Sequence, residues 1–286
     1  MQLKHRLAGL AAGIGLAFSA TAGLAQEIAA TLPHIGLPVD GAMGFQPGVT
    51  PVAQNVQWLD GMILVIITAI TLLVTGLLLW VAFRYNARRN PTPATFTHNS
   101  PLEVTWTVVP IVILVFIGAF SLPVLFEEQE IPTADINIKA TGYQWFWGYE
   151  YVDDGVAFES YMIGQGENVV TPEISAELAS YGYTDDEFRL ATDSAVVVPV
   201  GATVVLTVTG SDVIHSWTIP AFGVKQDAVP GRLAQLWFRA DQEGVYFGQC
   251  SELCGKDHAY MPITVQVVSQ AVYDAWLAQA KIDSPA

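Results

Sequence analysis

Both cysteines of this chain stand four residues apart, in Cys250-Ser251-Glu252-Leu253-Cys254, and two further donors follow at once, His258 and Met261. The spacing is C-x3-C-x3-H-x2-M, with His215 upstream. Thiolate, imidazole and thioether are soft or borderline donors, and as a set they select copper over calcium or magnesium. A mononuclear blue-copper site needs only one cysteine. Here there are two, and two thiolates bridging two copper ions, each ion completed by one imidazole, would use every donor present. Each residue also has a plainer reading. The cysteines alone fit a disulfide equally well in an oxidising compartment. His215 alone would be an ordinary core or surface histidine, and Met261 ordinary packing. Zinc could take two Cys and two His, but it has no use for a thioether. The combination favours copper.

These donors need a scaffold, and the sequence around them alternates as strands do. Alternating or β-branched runs recur at 135–141, 145–151, 196–200, 203–209, 217–219, 235–239, 245–247 and 263–268, separated by Gly, Pro, Asp and Ser. That rhythm predicts an all-β sandwich or barrel. An acidic, helix-like insertion is expected at 178–188. A closing helix is expected at 269–281, with Ser269 as N-cap and Val272, Trp276 and Leu277 on one face.

Upstream the chain is different in kind. Residues 61–83 and 104–126 are apolar runs without a charge, each long enough as a helix to cross a hydrocarbon core of about 30 Å. Arg84, Arg88 and Arg89 lie between them, which puts this loop in the cytoplasm by the positive-inside rule. Lys4 and Arg6, the apolar stretch 7–20 and Gly23-Leu24-Ala25 read as a signal peptide. The two arguments converge on one topology, with both mature ends outside the cytoplasm of a bacterial-type inner membrane. The expected divisions are a signal peptide at 1–25, an irregular extracytoplasmic segment at 26–57, membrane helices at 58–84 and 103–126 around a cytoplasmic loop at 85–102, and a copper domain at 127–286.

Composition narrows the partners. The chain is 52% hydrophobic and 14% charged, which excludes a disordered chain, and its net charge of −15 disfavours nucleic acid. The charge is concentrated: from residue 127 onward 23 acidic residues face 7 basic ones. Such a surface attracts basic partners, although simple solubility is the plainer reason for an acidic domain.

With these elements placed, the sequence resembles subunit II of haem-copper cytochrome c oxidases. The resemblance is carried by Asp212-Val213-Ile214-His215-Ser216-Trp217, Val229-Pro230-Gly231-Arg232, Gly248-Gln249-Cys250-Ser251-Glu252-Leu253-Cys254-Gly255, His258 and Met261. It implies a two-helix transmembrane hairpin followed by a cupredoxin-like domain with a binuclear copper centre, CuA. The implied ligands are His215, Cys250, Cys254, His258, Met261 and the backbone carbonyl of Glu252. The Glu252 carboxylate would also help bind a magnesium or manganese ion shared with subunit I. Gln144-Trp145-Phe146-Trp147-Gly148-Tyr149-Glu150 resembles the family's aromatic stretch, which implies that Trp145 receives the electron from cytochrome c. The chain departs from the common family form at Tyr143 and Phe146, so no hydroxyl is available at 146. The resemblance further implies that Glu103 marks a proton-channel entrance into subunit I, and that Glu150, Glu159, Asp193 and Asp212 face cytochrome c. On residues alone, Glu103 is a carboxylate near a helix N-terminus and the four acids are solvated charges. The expected partners are cytochrome c, the haem-bearing subunit I with other oxidase subunits, and membrane lipid. Two other functions use similar residues: the copper domain of a nitric-oxide reductase and a copper-storage or delivery protein. A quinol oxidase subunit would lack the thiolates.

Overall fold

The computed structural model describes residues 28–286, so the expected signal peptide lies outside the described residues. The chain forms two compact units, one of residues 55–127 and the other of the described residues on either side of them.

The first unit holds most of two helices, α1 (Pro51–Arg84) and α2 (Ser100–Gln129). Both are long and apolar enough to cross a membrane. Each extends beyond the segment the sequence suggested, because polar capping lies outside the apolar run. The Thr50 hydroxyl accepts the Ala53 N–H at 3.0 Å, with Pro51 in the first turn, where its missing N–H costs nothing. At α2 the Asn99 side chain accepts the Leu102 N–H at 3.3 Å, and Glu103 Oε1 accepts the Asn99 N–H at 3.0 Å. The helices meet through Trp58 and Phe120, whose ring centroids are 5.7 Å apart, and through a 2.7 Å hydrogen bond from Asn55 to Glu127. No residue of α2 is buried, and Leu72, Leu78, Val112 and Val115 are largely exposed.

The second unit is a β-sandwich. Its strands are β1 (His34–Gly36), β2 (Ile136–Tyr143), β3 (Phe146–Tyr151), β4 (Val156–Ser160), β5 (Val196–Pro199), β6 (Val204–Gly210), β7 (His215–Ile219), β8 (Val224–Ala228), β9 (Ala234–Phe238), β10 (Gly244–Gln249) and β11 (Pro262–Val268). One sheet runs β1-β10-β11-β5 and the other β4-β3-β2-β6-β9, while β7 and β8 pair as a ribbon. Inward positions alternate cleanly along β2 and β3, which is how a sheet with one buried face reads. Trp147, Trp217, Tyr151, Phe222, Phe238 and Tyr246 fill the interior.

Four expectations need correction or refinement. The segment before α1 is irregular over most of its described length, as expected, but it is packed rather than loose: β1 joins β10 in parallel, and Ile28, Ala29, Val49 and Thr50 are buried. His34 Nδ1 pairs with buried Glu187, fixing this segment to a 3-10 turn at Asp185–Glu187. The helical insertion starts earlier, as α3 (Pro172–Ser180), because Thr171 caps it and Pro172 begins it; Gly182, at φ 81°, follows its end. Strands β4 and β8 escaped notice because β4 is five residues long and β8 carries Lys225, Gln226 and Asp227 at its centre. The closing helix α4 (Gln270–Asp283) is capped by Ser269 as expected, but its inward stripe is Tyr273, Trp276 and Ala280. Leu277 packs beside that stripe and Val272 faces out, since the i, i+3, i+7 series from 273 sets the face.

Candidate metal centre

The loop 250–261 connects the antiparallel strands β10 and β11, and their register ends at the pair Gln249–Pro262. The Cys250 N–H reaches the Met261 carbonyl at 3.3 Å, so the loop closes at its base with one ligand on each arm. His215 arrives from β7. Strand β7 can cross β10 this closely only because residue 248 is glycine: a Cβ there would lie 1.8 Å from the Thr218 carbonyl oxygen. Gly142 plays the matching part behind the imidazole, where a Cβ would sit 2.8 Å from the His215 ring. Trp147 packs edge-on to His215, with centroids 6.0 Å apart.

The side chains converge. Cys250 Sγ and Cys254 Sγ are 3.8 Å apart as free thiols, well beyond a disulfide bond of about 2.05 Å. His215 Nδ1 lies 3.9 Å from Cys250 Sγ, and the Glu252 carbonyl oxygen lies 3.3 Å from the same sulfur. His258 Nδ1 and Met261 Sδ each lie 3.5 Å from Cys254 Sγ. Each sulfur therefore has one imidazole beside it. Metal bonds of about 2.0–2.3 Å to N and S separate two ligands of one ion by distances of this order. Within this set His215, Cys250 and Cys254 are buried, with donor atoms all within 4.8 Å of one another. The residues fit a soft metal held by thiolates, imidazoles and a thioether.

The electrostatics suit the same role. Burial pushes the Cys250 thiol up, but hydrogen bonds involving His215, Glu252 and Ser216 bring it down to about 7. Cys254 is pushed up to about 12, by burial and then by the neighbouring Cys250 charge. Two thiolate charges this close repel each other, and a cation between them would relieve that repulsion. Burial lowers His215, but hydrogen bonds to Cys250 and Asp212 outweigh it and leave the imidazole raised. Its Nε2 lies 2.8 Å from Asp212 Oδ1, which fixes the proton there and leaves Nδ1 facing the sulfurs.

Trp145 is not the first residue of a strand. It lies with Gln144 in the tight turn between β2 and β3, half-buried, and its indole Nε1 donates to the Cys254 carbonyl at 3.3 Å. Phe146 instead stacks between Tyr143 and Tyr161, with centroids at 4.7 and 4.5 Å. Each of the four acids has a partner within the chain. Glu150 pairs with Lys139 at 3.4 Å. Glu159 accepts the Tyr161 hydroxyl at 2.5 Å, and Asp193 accepts the Tyr161 N–H at 2.9 Å in a site whose burial raises its carboxyl. Asp212 accepts from both His215 and the Gln144 N–H, contacts that no sequence motif announces. The Glu252 carboxylate is exposed. Glu103 belongs to the helical unit, where it serves the start of α2.

Two family descriptions match the chain: "Cytochrome C oxidase subunit II, periplasmic domain" over residues 136–268 and "Cytochrome C oxidase subunit II, transmembrane domain" over 38–124. Cytochrome c oxidase subunit 2 of Cereibacter sphaeroides is 63% identical, with 98% of this chain and 93% of the relative covered. The chain belongs to the cytochrome c oxidase subunit II family. Probable cytochrome c oxidase subunit 2 of Rickettsia bellii is 44% identical, covering 84% of this chain and 85% of the relative. The crystal structure of the periplasmic domain of subunit II from Bradyrhizobium japonicum is 44% identical, covering 54% of this chain and 99% of that one, with a TM-score of 0.45. Membership makes the chain a copper-binding subunit of a haem-copper oxidase complex and a membrane protein with a periplasmic domain. These relatives give no support to the nitric-oxide reductase and copper-storage readings.

Proposed function

We propose that the chain accepts electrons from cytochrome c at a pair of copper ions and hands them to haem in subunit I. The convergence of two thiols, two imidazole Nδ1 atoms and one thioether in a single loop and strand end supports this reading. His215, Cys250, Cys254, His258, Met261 and the Glu252 carbonyl would hold the pair. When bound, copper supplies one-electron storage, and sharing the charge over two ions keeps reorganisation small. The chain's residues shape the rest. The buried Trp147, edge-on to His215, would exclude water from that ligand. The half-buried Trp145, one hydrogen bond from the Cys254 backbone, would couple the donor to the centre. Glu150, Glu159, Asp193 and Asp212 would contribute to the field that steers a basic cytochrome, an effect that fades with salt. The exposed Glu252 carboxylate is free to reach a magnesium or manganese ion at the border with subunit I. Glu103, near the N-terminus of α2, would mark a proton entrance on the cytoplasmic side, with both mature chain ends outside.

Trp145→Phe in the assembled oxidase tests the reading. It keeps an apolar ring and the surface charge while removing the indole N–H. Flash-initiated electron transfer from cytochrome c should slow by about a hundredfold or more, with KM and the copper spectrum nearly unchanged. Transfer at the wild-type rate would remove Trp145 from the path.

A further inference from the structure

The turn that carries Trp145 is tied to the metal ligands at both of its ends, and the ties meet on Gln144. Its backbone N–H donates to Asp212 Oδ2 at 2.8 Å, and its carboxamide Nε2 donates to the Cys254 carbonyl at 3.1 Å. Asp212 Oδ1 in turn accepts the Nε2 proton of His215 at 2.8 Å and the Val213 N–H at 2.7 Å. The Trp145 indole shares the Cys254 carbonyl with the Gln144 carboxamide. One closed hydrogen-bonded frame thus runs from His215 through Asp212 to residue 144, and from there to Cys254. Both oxygens of Asp212 are spent inside it. We propose that Gln144 and Asp212 are positioning residues that lock Trp145, His215 and Cys254 into one rigid unit, fixing the distance electrons cross.

The chemistry at each position explains the residue type. Residue 144 must present a donor to a carbonyl that already accepts from an indole, and a glutamate there would present an acceptor. Residue 212 must accept on two oxygens in different directions. An asparagine offers one oxygen and one amide group, so one of the two donors would face another donor. Outer partners of metal ligands of this kind are worth about 10–100-fold in affinity or activity. Gly255 belongs to the same frame: at φ 124°, a Cβ there would come within 3.1 Å of the Gln144 carboxamide and 3.2 Å of the Trp145 ring.

This inference rests on the proposed role of the copper pair, and its test separates the two. The assembled oxidase carrying Gln144→Ala, Gln144→Met, Asp212→Asn or Asp212→Glu would be examined first without cytochrome c. The readouts are the electron-paramagnetic-resonance hyperfine pattern of the copper and its midpoint potential. Flash-initiated transfer and KM would follow. Gln144→Ala and Gln144→Met change no charge, yet each should slow transfer about tenfold or more with KM unchanged. Asp212→Asn should shift the hyperfine pattern or the potential, and Asp212→Glu should not restore either one. A docking charge alone would behave otherwise: Asp212→Asn would alter only KM and salt dependence, and Asp212→Glu would rescue it. Wild-type spectrum and transfer rate in both Gln144 variants would overturn the frame. A wild-type complex without paired copper would overturn the proposed function instead. Gln144→Met, which keeps the side-chain length, guards against a fault of folding in Gln144→Ala.

Discussion

The helical unit and the β-sandwich place the same apolar side chains on opposite sides of their backbones. In α2 no residue is buried and Val112, Leu114 and Val115 point outward. In the sandwich Phe238, Leu206 and Trp217 are sealed inside. The difference lies in the solvent. Lipid is as apolar as leucine, so a membrane helix gains nothing by hiding its side chains and need only satisfy its own backbone. The sandwich faces water and must bury a packed core before it can hold a thiol pair still.

A pair of truncations gives the largest effect. Phe238→Ala, in the sandwich core, should cost about 3–5 kcal/mol, read as a large fall in the melting temperature of the full chain. Leu78→Ala, at a side chain 65% exposed, should cost under about 1 kcal/mol, because lipid replaces the lost contacts. Similar losses at both sites would break the contrast. The reverse substitution comes next. Leu72 and Val169 are almost equally exposed, at 68% and 66%. Leu72→Arg should cost about 2.5–3.5 kcal/mol of membrane insertion, while Val169→Arg should stay within about 0.5 kcal/mol. A glycosylation-type insertion assay and thermal melting read the two arms.

The smallest effect is a pH dependence at the edge of the sandwich. The hydrogen bond to Glu187 raises His34 above its ordinary 6.5. Burial would raise Glu187, but its bonds from His34 and Thr184 hold it below 4.5. The histidine's contribution is complete below about 6.5 and is lost as pH rises through its higher folded value. The glutamate's is complete above about 4.5 and is lost as pH falls through its lower folded value. The pair is therefore strongest between those limits. His34→Gln should weaken the docking of β1 by about 1–2 kcal/mol at pH 6, and the gap to wild type should narrow at alkaline pH. Hydrogen exchange of the β1 amides measures it; a gap independent of pH would contradict the charged pair.

How much of this was legible depended on whether a feature is local. The membrane helices follow from run length alone, and the C-x3-C-x3-H-x2-M loop brings four ligands within one connection, so neighbours in sequence become neighbours in space. Ser269 as a cap was readable for the same reason. Strand β1 was not, because three residues gain their strand character only from β10, more than two hundred positions later. Asp212 was readable as a charge but not as a partner of His215 and Gln144. That role depends on β2, β7 and the cysteine loop meeting at one corner. Gly248 makes room for the crossing of β7 over β10 and Gly142 for the His215 ring, and neither neighbour is local in sequence.

The central claim is that two thiols and two imidazoles hold two coppers as one centre. The most direct measurement is the electron-paramagnetic-resonance spectrum, with metal analysis, of the purified full chain loaded with copper and free of partner subunits. Two coppers per chain, with the unpaired electron shared equally between two equivalent nuclei, is the expected result, and Cys250→Ser or Cys254→Ser should abolish it. One copper per chain with the hyperfine pattern of a single nucleus would contradict the account.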